Sequence, residues 1–395
     1  MPKNGNSKHE MNERVANYIR AYDAQGWHRT GTEIDLMSAT WLAQQVNANG
    51  FEAHQETFDL SRITPVRNFL DVDGTKIDGL PLFDGSFTGD LGIQGKLGVL
   101  NSQAEIGLAE VSPIHPHDAL EQARSSGRHR ALIAVTLPPG GKPGLAPQNA
   151  PRFAAPFGPP VLQVDTEIRG WLFEKANEQA QCQVVAEVKR TDVKAVNVTT
   201  IVHGHDPSLP PVIVMTPRSG WWRCASERGG GIACWLEMIR SLGDNRPSRD
   251  VRFVATSGHE LGHLGLKAYL RRNPNLATGA LAWIHLGASI GAAEDPTPRL
   301  AALSKELQRL AVEVLVGQAI EMPEIVPMGV VPGGESRDIH EKGGRYISLA
   351  GGHATFHQEA DRWPDAVNVD SVVRYASALV EVLARISGNT GPSSV

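Results

Sequence analysis

The segment 254–266, VATSGHELGHLGL, constrains the fold more than any other part of the chain. Its centre, HELGH at 259–263, matches HExxH, in which two histidines on one helix face bind zinc and the glutamate is the general base. Residues 251–257, however, have the composition of a buried strand that ends at Gly258. A zinc-binding helix would have to begin within the motif, and no third histidine follows at the metzincin spacing.

The wider pattern favours a second interpretation of the same residues. A strand, a turn of small residues, an acidic position, Leu-Gly and then Tyr269 follow one another. This order resembles the GEELG…G…Y segment of metallopeptidase family twenty-eight, which contains zinc aminopeptidases and glutaminyl cyclases. In that family the first glutamate is the general base and the second binds a metal ion. The resemblance puts His259 at the first of these positions and Glu260 at the second.

Four further segments support the resemblance in the order that the family requires. They resemble its first core strand, the helix after its bridging aspartate, its aspartate-bearing strand and the segment that delivers the final histidine ligand. These segments are residues 211–215, 231–240, 280–287 and 356–361. Counting back from the helix places Glu227 at the bridging aspartate, and the last segment supplies His357. The resemblance spans residues 10–60 and 195–390.

The chain departs from the family at one of its two metal sites. The HxD motif of the first strand is Pro-Arg-Ser at 217–219, and the strand aspartate is Gly287. The resemblance leaves Glu227, Glu260 and His357, a set that suits one zinc ion with an open position for water or substrate. We therefore expect one divalent metal ion, zinc with manganese as the alternative. The other interpretation is that these residues are solvated carboxylates and a structural histidine.

His259 stands where the family has its general base. Imidazole titrates near pH ~6.5, so it can take or give a proton where a carboxylate would. We therefore predict that His259 is catalytic; alternatively it is a metal ligand, or it is tolerated because catalysis has been lost. His263, His353 and Asp361 are predicted to support the ligands or to replace one of them.

Three arginines and two tryptophans fill the loop in which the family places its metal-binding and substrate-facing residues: Arg218, Arg223 and Arg228 around Trp221 and Trp222. A guanidinium can hold a carboxylate by two-point contact, and paired tryptophans can form an aromatic or apolar wall. We predict a small anionic substrate bound by Arg218, Trp221, Trp222 and Arg223. The alternative is that a tryptophan packs in the core and the arginines are solvated.

Composition limits the classes of function. The 395 residues are 41% hydrophobic, enough for two domains, and the net charge of -5 argues against nucleic-acid binding. The three cysteines show no disulfide or metal spacing. The first residues lack the apolar segment of a signal peptide, and no apolar run is long enough for a membrane. We expect a cytoplasmic protein with a small-molecule substrate and no nucleic-acid or membrane partner; a homo-oligomer is left open.

The order of elements predicts an α/β fold with a mostly parallel twisted sheet flanked by helices, like that of zinc exopeptidases, and an inserted smaller β-rich domain. The catalytic core is assigned to residues 1–60 and 191–395. The insert, residues 61–190, resembles a protease-associated domain, and an unrelated lid is the alternative. Core strands are predicted at 211–216, 251–257, 280–286 and 345–350, and core helices at 229–242, 261–271, 300–319 and 369–387. Ligands gather at the carboxyl ends of such strands.

Three functions follow as hypotheses. The first is a mononuclear metal-dependent hydrolase that cleaves an amide or related bond in a small carboxylate-bearing substrate. The second is acyl transfer of the glutaminyl cyclase kind, and the third is a metal-free pseudoenzyme that acts as a binding protein. Metal content separates the third from the first two, and product analysis separates hydrolysis from cyclisation.

Overall fold

The computed structural model describes residues 4–114, 118–243 and 245–388. Fourteen strands of the described residues form one continuous sheet, and helices cover its faces. The strands are β1 (His54–Val72), β2 (Thr75–Asp78), β3 (Leu80–Pro81), β4 (Ile93–Val99), β5 (Ile106–Val111), β6 (Ala131–Thr136), β7 (Val161–Val164), β8 (Gln181–Val202), β9 (Val212–Pro217), β10 (Val251–Thr256), β11 (Ala282–Leu286), β12 (Thr297–Ala302), β13 (Glu324–Ile325) and β14 (Tyr346–Gly352). The helices are α1 (Asn4–Asp23), α2 (Glu33–Ala48), α3 (Asp118–Ser126), α4 (Arg169–Asn177), α5 (Gly229–Ser241), α6 (Leu264–Arg272), α7 (Leu276–Gly279), α8 (Lys305–Gly317), α9 (Ser336–Glu341) and α10 (Val369–Ser387).

The centre of the sheet is parallel. β9 lies between β10 and β11 and pairs parallel with both, and β14 pairs parallel with β11. β12 and β8 add antiparallel strands on the two sides of this group. The predicted α/β class with a mostly parallel, helix-flanked sheet is confirmed, and the strand order places the carboxyl ends of β9, β10, β11 and β14 along one edge.

A long two-stranded ribbon joins the two parts of the sheet. β1 and β8 pair antiparallel from His54 opposite Thr199 to Val72 opposite Cys182. The ribbon pairs with β10 at one end and with β4 at the other. β1 runs through residue 60 and β8 through residue 190, the predicted boundaries of the inserted domain. The division of the chain at these two positions stays a prediction. The far end has its own apolar core, which includes Leu97 and Ile133.

Helix α5 packs without a polar face. Its residues Gly229–Ile239 are all buried, as expected for a helix that is apolar nearly all round. A Cβ on Gly230 would lie 1.9 Å from the carbonyl oxygen of Ile290, so only glycine permits this approach. The close packing holds the start of α5, and the loop before it, against the end of β11.

Two predicted helices begin later than expected. The helix predicted at 261–271 begins at Leu264, because Gly258, Gly262 and His263 have left-handed backbone conformations that a helix cannot contain. The helix predicted at 300–319 begins at Lys305, because residues 297–302 instead pair with β14. Within the described ranges, no helix is both long and apolar enough to cross a membrane.

Candidate functional site

The three predicted metal ligands meet at the carboxyl ends of the central strands. Glu227 lies in the loop between β9 and α5, Glu260 follows β10, and His357 follows β14. All three side chains are buried. Nε2 of His357 lies 3.4 Å from Oε1 of Glu227. The structure therefore brings together three residues that are far apart in the sequence.

Arg228 lies between the two carboxylates. Its Nη2 atom is 2.8 Å from Oε1 of Glu227 and 2.9 Å from Oε1 of Glu260. Its Nε donates a 2.7 Å hydrogen bond to the carbonyl oxygen of Ser219. The hydroxyl of Ser219 donates to the second oxygen of Glu260 at 2.7 Å. A buried guanidinium thus already supplies the positive charge that a metal ion would bring to these carboxylates.

The pKa shifts follow from this ion triad. Burial alone would raise the pKa of Glu227, but the charges of Arg228 and His357 outweigh it and hold that pKa below its usual range. For Arg228, burial lowers the pKa, whereas Glu227 and Glu260 raise it by more. Glu227 and Arg228 therefore both remain ionised near neutral pH.

His357 has the surroundings of a metal-binding histidine. Nδ1 of His357 contacts the carbonyl oxygen of Pro147 at 2.6 Å, which favours a proton on Nδ1 and a free lone pair on Nε2. Neither Nε2 of His357 nor the carboxylate oxygens of Glu227 make a hydrogen bond to the described residues. The two carboxylates do not fit a metal ion as they stand, because Glu260 and Glu227 share the guanidinium of Arg228.

The predicted three-ligand metal site is therefore not formed while Arg228 occupies this position. Among residues 4–114, 118–243 and 245–388, no group of three or more His, Cys, Asp and Glu side chains is arranged to hold a metal ion. The sequence interpretation assigned Arg228 only to the arginine-rich loop. Its role between the carboxylates depends on the turn that folds its side chain back over the site.

A second polar cluster lies beside the first. Nδ1 of His259 is 3.6 Å from Oε1 of Glu335, a buried carboxylate that accepts a 2.7 Å hydrogen bond from Thr256. His263 forms an ion pair and a short hydrogen bond with Asp338. His259 and His263 are thus not two ligands on one helix face, and the HExxH interpretation does not hold. Sequence reasoning missed Glu335, which no motif marked.

His285 completes this cluster from β11. Its Nδ1 is 2.8 Å from the hydroxyl of Ser348, and its Nε2 has no hydrogen-bond partner among the described residues. A Cβ on Gly287 would lie 3.0 Å from the imidazole, so His285 extends along the space next to the lost aspartate position. Alternation along a strand puts residues two apart on one face, and this signal could have identified His285.

Burial disfavours the charged forms of His259, His285 and Glu335. Burial and then the charge of Arg228 lower the pKa of His259 well below its ordinary value. Burial also lowers the pKa of His285 to about 3. For Glu335, burial raises the pKa. The neutral imidazole of His259 has a lone pair that can accept a proton, but burial makes it a weaker base than free imidazole unless a nearby negative charge offsets that effect.

Asp361 and His353 lie behind Glu227. The two oxygens of Asp361 accept hydrogen bonds from the backbone N–H groups of Ser226 and Glu227 at 2.8 and 2.9 Å. Nε2 of His353 lies 3.6 Å from Asp361. These contacts hold the loop that carries Glu227.

Arg218 lies in the interior and not at the site. Its Nη1 donates 2.8 Å hydrogen bonds to the carboxylate and the carbonyl oxygen of Asp35, and Nη2 donates to the carbonyl oxygen of Val196. Its side chain has no exposed surface. The expectation that Arg218 grips a substrate carboxylate is corrected by this placement, because its charge is already paired.

The other loop residues have mainly structural contacts. Trp222 is buried and its indole N–H donates to the carbonyl oxygen of His357 at 2.7 Å. Arg223 donates to the carbonyl oxygen of Asp23 at 3.1 Å. Trp221 is also buried, but one part of it lines a cavity next to Glu260.

The region predicted as an insert contributes to the walls of the site. Besides the contact between Pro147 and His357, the backbone N–H of Ala150 donates to the carbonyl oxygen of Glu260 at 2.7 Å. The side chain of Asn149 accepts a hydrogen bond from Trp221 at 3.1 Å. Residues 147–150 thus cover one side of the crevice and restrict access to it.

Comparison with known families gives one match. The sequence matches peptidase family M28 over residues 183–383. No protein with a curated description matches it.

Solved structures of the same fold cover nearly the whole chain. The zinc aminopeptidase BSAP from Bacillus subtilis has a TM-score of 0.77 at 17% identity, covering 95% of this chain and 94% of that one. The aminopeptidase from Aneurinibacillus sp. strain AM-1 has a TM-score of 0.72 at 14% identity, with coverage of 95% and 94%. The peptidase M28 precursor from Shewanella amazonensis SB2B has a TM-score of 0.72 at 13% identity, with coverage of 98% and 97%. At these identities the likeness establishes the fold.

Proposed function

Because the chain belongs to peptidase family M28, a family of metal-dependent hydrolases, we propose that it hydrolyses an amide or related bond in a small substrate that carries a carboxylate. The observation that carries this proposal is the convergence of two carboxylates, an imidazole and a guanidinium in one crevice at the strand ends. α/β enzymes bind their ligands in such crevices. Buried nitrogens of Arg228 and His357 that make no hydrogen bond to the described residues also support a polar ligand there.

We infer that the protein binds at most one divalent ion, zinc or manganese. Glu227, Glu260 and His357 could hold it only if the guanidinium of Arg228 moved out from between the carboxylates. As they stand these residues do not fit the ion, so we assign no step to it. Pro217 and Gly287 offer no ligand for a second ion.

The residues themselves suggest how the reaction is supported. Nη1 of Arg228 makes no hydrogen bond within the described part of the chain and can donate one to a substrate oxygen that gains negative charge. His259 is neutral and can accept a proton from water. Glu335, 3.6 Å away, would stabilise the imidazolium that results.

A metal-free binding protein is the second candidate. The observation that favours it is again Arg228, because an internal cation neutralises the carboxylates that a metal ion would need. Such a protein would bind the same small anionic molecules without turning them over.

The test combines elemental analysis of the purified protein with product analysis on N-acyl amino acids. We expect hydrolysis products, at most one metal ion per chain, and a roughly 100- to 10,000-fold loss of turnover in His259→Ala. His54→Ala, at an exposed histidine outside the site, is the matched control and should retain full turnover. A cyclised product would favour acyl transfer, and binding without any turnover would favour the second candidate. Two metal ions per chain would contradict the proposal.

A further inference from the structure

A cavity of about 390 Å³ opens next to Glu260. The segment before α2, the middle of β1 and the loop after β9 form its walls, so it connects the candidate site with the N-terminal part of the chain. Its lining includes two arginines, Arg29 and Arg62, and an exposed carboxylate, Glu33.

Arg29 is a partly buried cation on which the charge of Glu359 acts, although the two side chains form no ion pair. Its Nε donates to the carbonyl oxygen of Trp221 at 3.1 Å, and its guanidinium lies 5.0 and 5.1 Å from the rings of Trp27 and Trp222. No described residue forms an ion pair with it. Burial lowers the pKa of Arg29 to about 10. The aromatic rings hold the guanidinium in place but do not neutralise its charge.

Arg62 has the same character. Its Nη1 donates to the carbonyl oxygen of Gly31 at 2.9 Å, and its Nε is buried without a hydrogen-bond partner among the described residues. Arg62 also forms no ion pair with a described residue. A buried donor without a partner costs free energy, but Arg124 and Arg218 also have such an Nε, so this atom alone does not mark a site. Arg62 differs from them because it lines the cavity and forms no ion pair with a described residue.

The fully buried arginines of the same protein show the contrast. Each of them has a carboxylate within 2.8 Å: Asp84 for Arg124, Asp35 for Arg218 and Glu227 for Arg228. The protein therefore supplies an internal anion to arginines that it encloses fully. Arg29 and Arg62, which face the cavity, receive none.

The remaining walls are apolar. Ile34, Ile63, Phe83 and Trp221 line the cavity, and the rings of Phe83 and Trp221 pack edge to face with centroids 5.3 Å apart. A ligand that fills this space would carry a negative group toward the arginines and an apolar group against these walls.

We propose that this cavity binds the carboxylate and the adjoining aromatic or aliphatic group of the substrate, with Arg29 and Arg62 as the anion-binding residues. The proposal rests on the proposed function, since the reacting bond would then lie toward Glu260. It moves the predicted carboxylate contact from Arg218, which is paired inside the protein, to two arginines that are not. A two-point guanidinium contact recognises a carboxylate more strongly than an uncharged group.

The experiment uses two probes that have no amide bond, so binding is measured apart from hydrolysis. Calorimetric titration of the whole protein should give at least roughly tenfold tighter binding of 4-phenylbutanoate than of 4-phenylbutan-1-ol, from one charge-assisted hydrogen bond. Arg29→Gln and Arg62→Gln should each reduce this preference by roughly tenfold. Arg67→Gln is the matched control, because Arg67 lies on β1 like Arg62 but pairs with Glu187 at the surface. This variant should keep the preference for 4-phenylbutanoate.

Thr64→Trp tests the cavity without removing an arginine. Thr64 is exposed and lines the cavity, so a tryptophan there should block both probes while leaving thermal unfolding unchanged. Equal binding of the two probes, or an unchanged preference in both arginine variants, would overturn the inference even if hydrolysis were found. A charge preference that depends on the arginines, without turnover of any acyl amino acid, would uphold the inference and refute the proposed hydrolase.

Discussion

The Nη2 atom of Arg228 lies 2.9 Å from Oε1 of Glu260, inside a crevice where both side chains are buried. The same nitrogen is 2.8 Å from Glu227, so one guanidinium holds two carboxylates that would otherwise repel each other. This relationship decides how the site can be occupied, because any cation that binds these carboxylates must compete with Arg228.

Replacing Arg228 with methionine should expose this competition. Two buried carboxylates would lose their partner, and the free energy of unfolding should fall by about 3–5 kcal/mol, as for other broken buried pairs. Added Zn²⁺ should then raise the melting temperature of the variant more than that of the wild type, since ligand binding to the folded state stabilises it. Urea and thermal unfolding with and without zinc measure both effects. Arg385→Met removes exposed pairs with Glu313 and Glu381; it should cost about 1 kcal/mol or less, and zinc should not raise its melting temperature more than that of the wild type.

The buried pair of Arg218 and Asp35 should act on stability and not on specificity. Asp35→Asn leaves the guanidinium of Arg218 without its charge partner, and we expect a loss of about 3–5 kcal/mol in urea unfolding. Turnover of acidic substrates and of their uncharged amide analogues should change by the same factor in Arg218→Lys. A loss confined to acidic substrates would instead restore Arg218 as a substrate anchor.

Restoring the lost strand aspartate should not rebuild a second metal site. A Cβ at position 287 would lie 2.6 Å from the Cβ of Ala350, which cannot move aside as a flexible side chain would. We expect Gly287→Asp to lower stability by about 1–3 kcal/mol through overpacking and to leave the metal content unchanged. Gly317→Ala, where nothing lies within 4 Å of the new methyl group, is the control and should be nearly neutral. A second bound metal ion in Gly287→Asp would show that the space can open.

His28 should contribute to acid sensitivity. It is fully buried and stacked on Tyr22 at 3.8 Å, and burial lowers its pKa from 6.5 to about 3. The unfolded state therefore binds more protons between these values, and stability should fall as the pH falls through this window, by roughly 1.4 kcal/mol per pH unit at most. His28→Phe keeps the stacking and should flatten the loss of melting temperature between pH 6.5 and 4. The exposed His54→Phe should leave the acid dependence as in the wild type.

Local patterns in the sequence were enough for many elements and for the family. The periodicity of residues 369–387 predicts helix α10 with the bounds observed. The order of strand, turn and acidic residue also led to the family and to the meeting of Glu227, Glu260 and His357. Each of these inferences uses neighbours in the chain, or the rule that parallel strands share one carboxyl edge.

The partners of the charged side chains were decided by the tertiary structure alone. Arg218 and Asp35 are 183 residues apart, and Thr256 and Glu335 are 79 apart, so no local pattern could pair them. The turn after β9 determines that Arg228 faces the carboxylates while Arg218 faces the interior. The sequence by itself determined which chemical groups the site contains. Packing determined which charges lie close enough to neutralise each other, because an electrostatic pair depends on distance and burial and not on order along the chain.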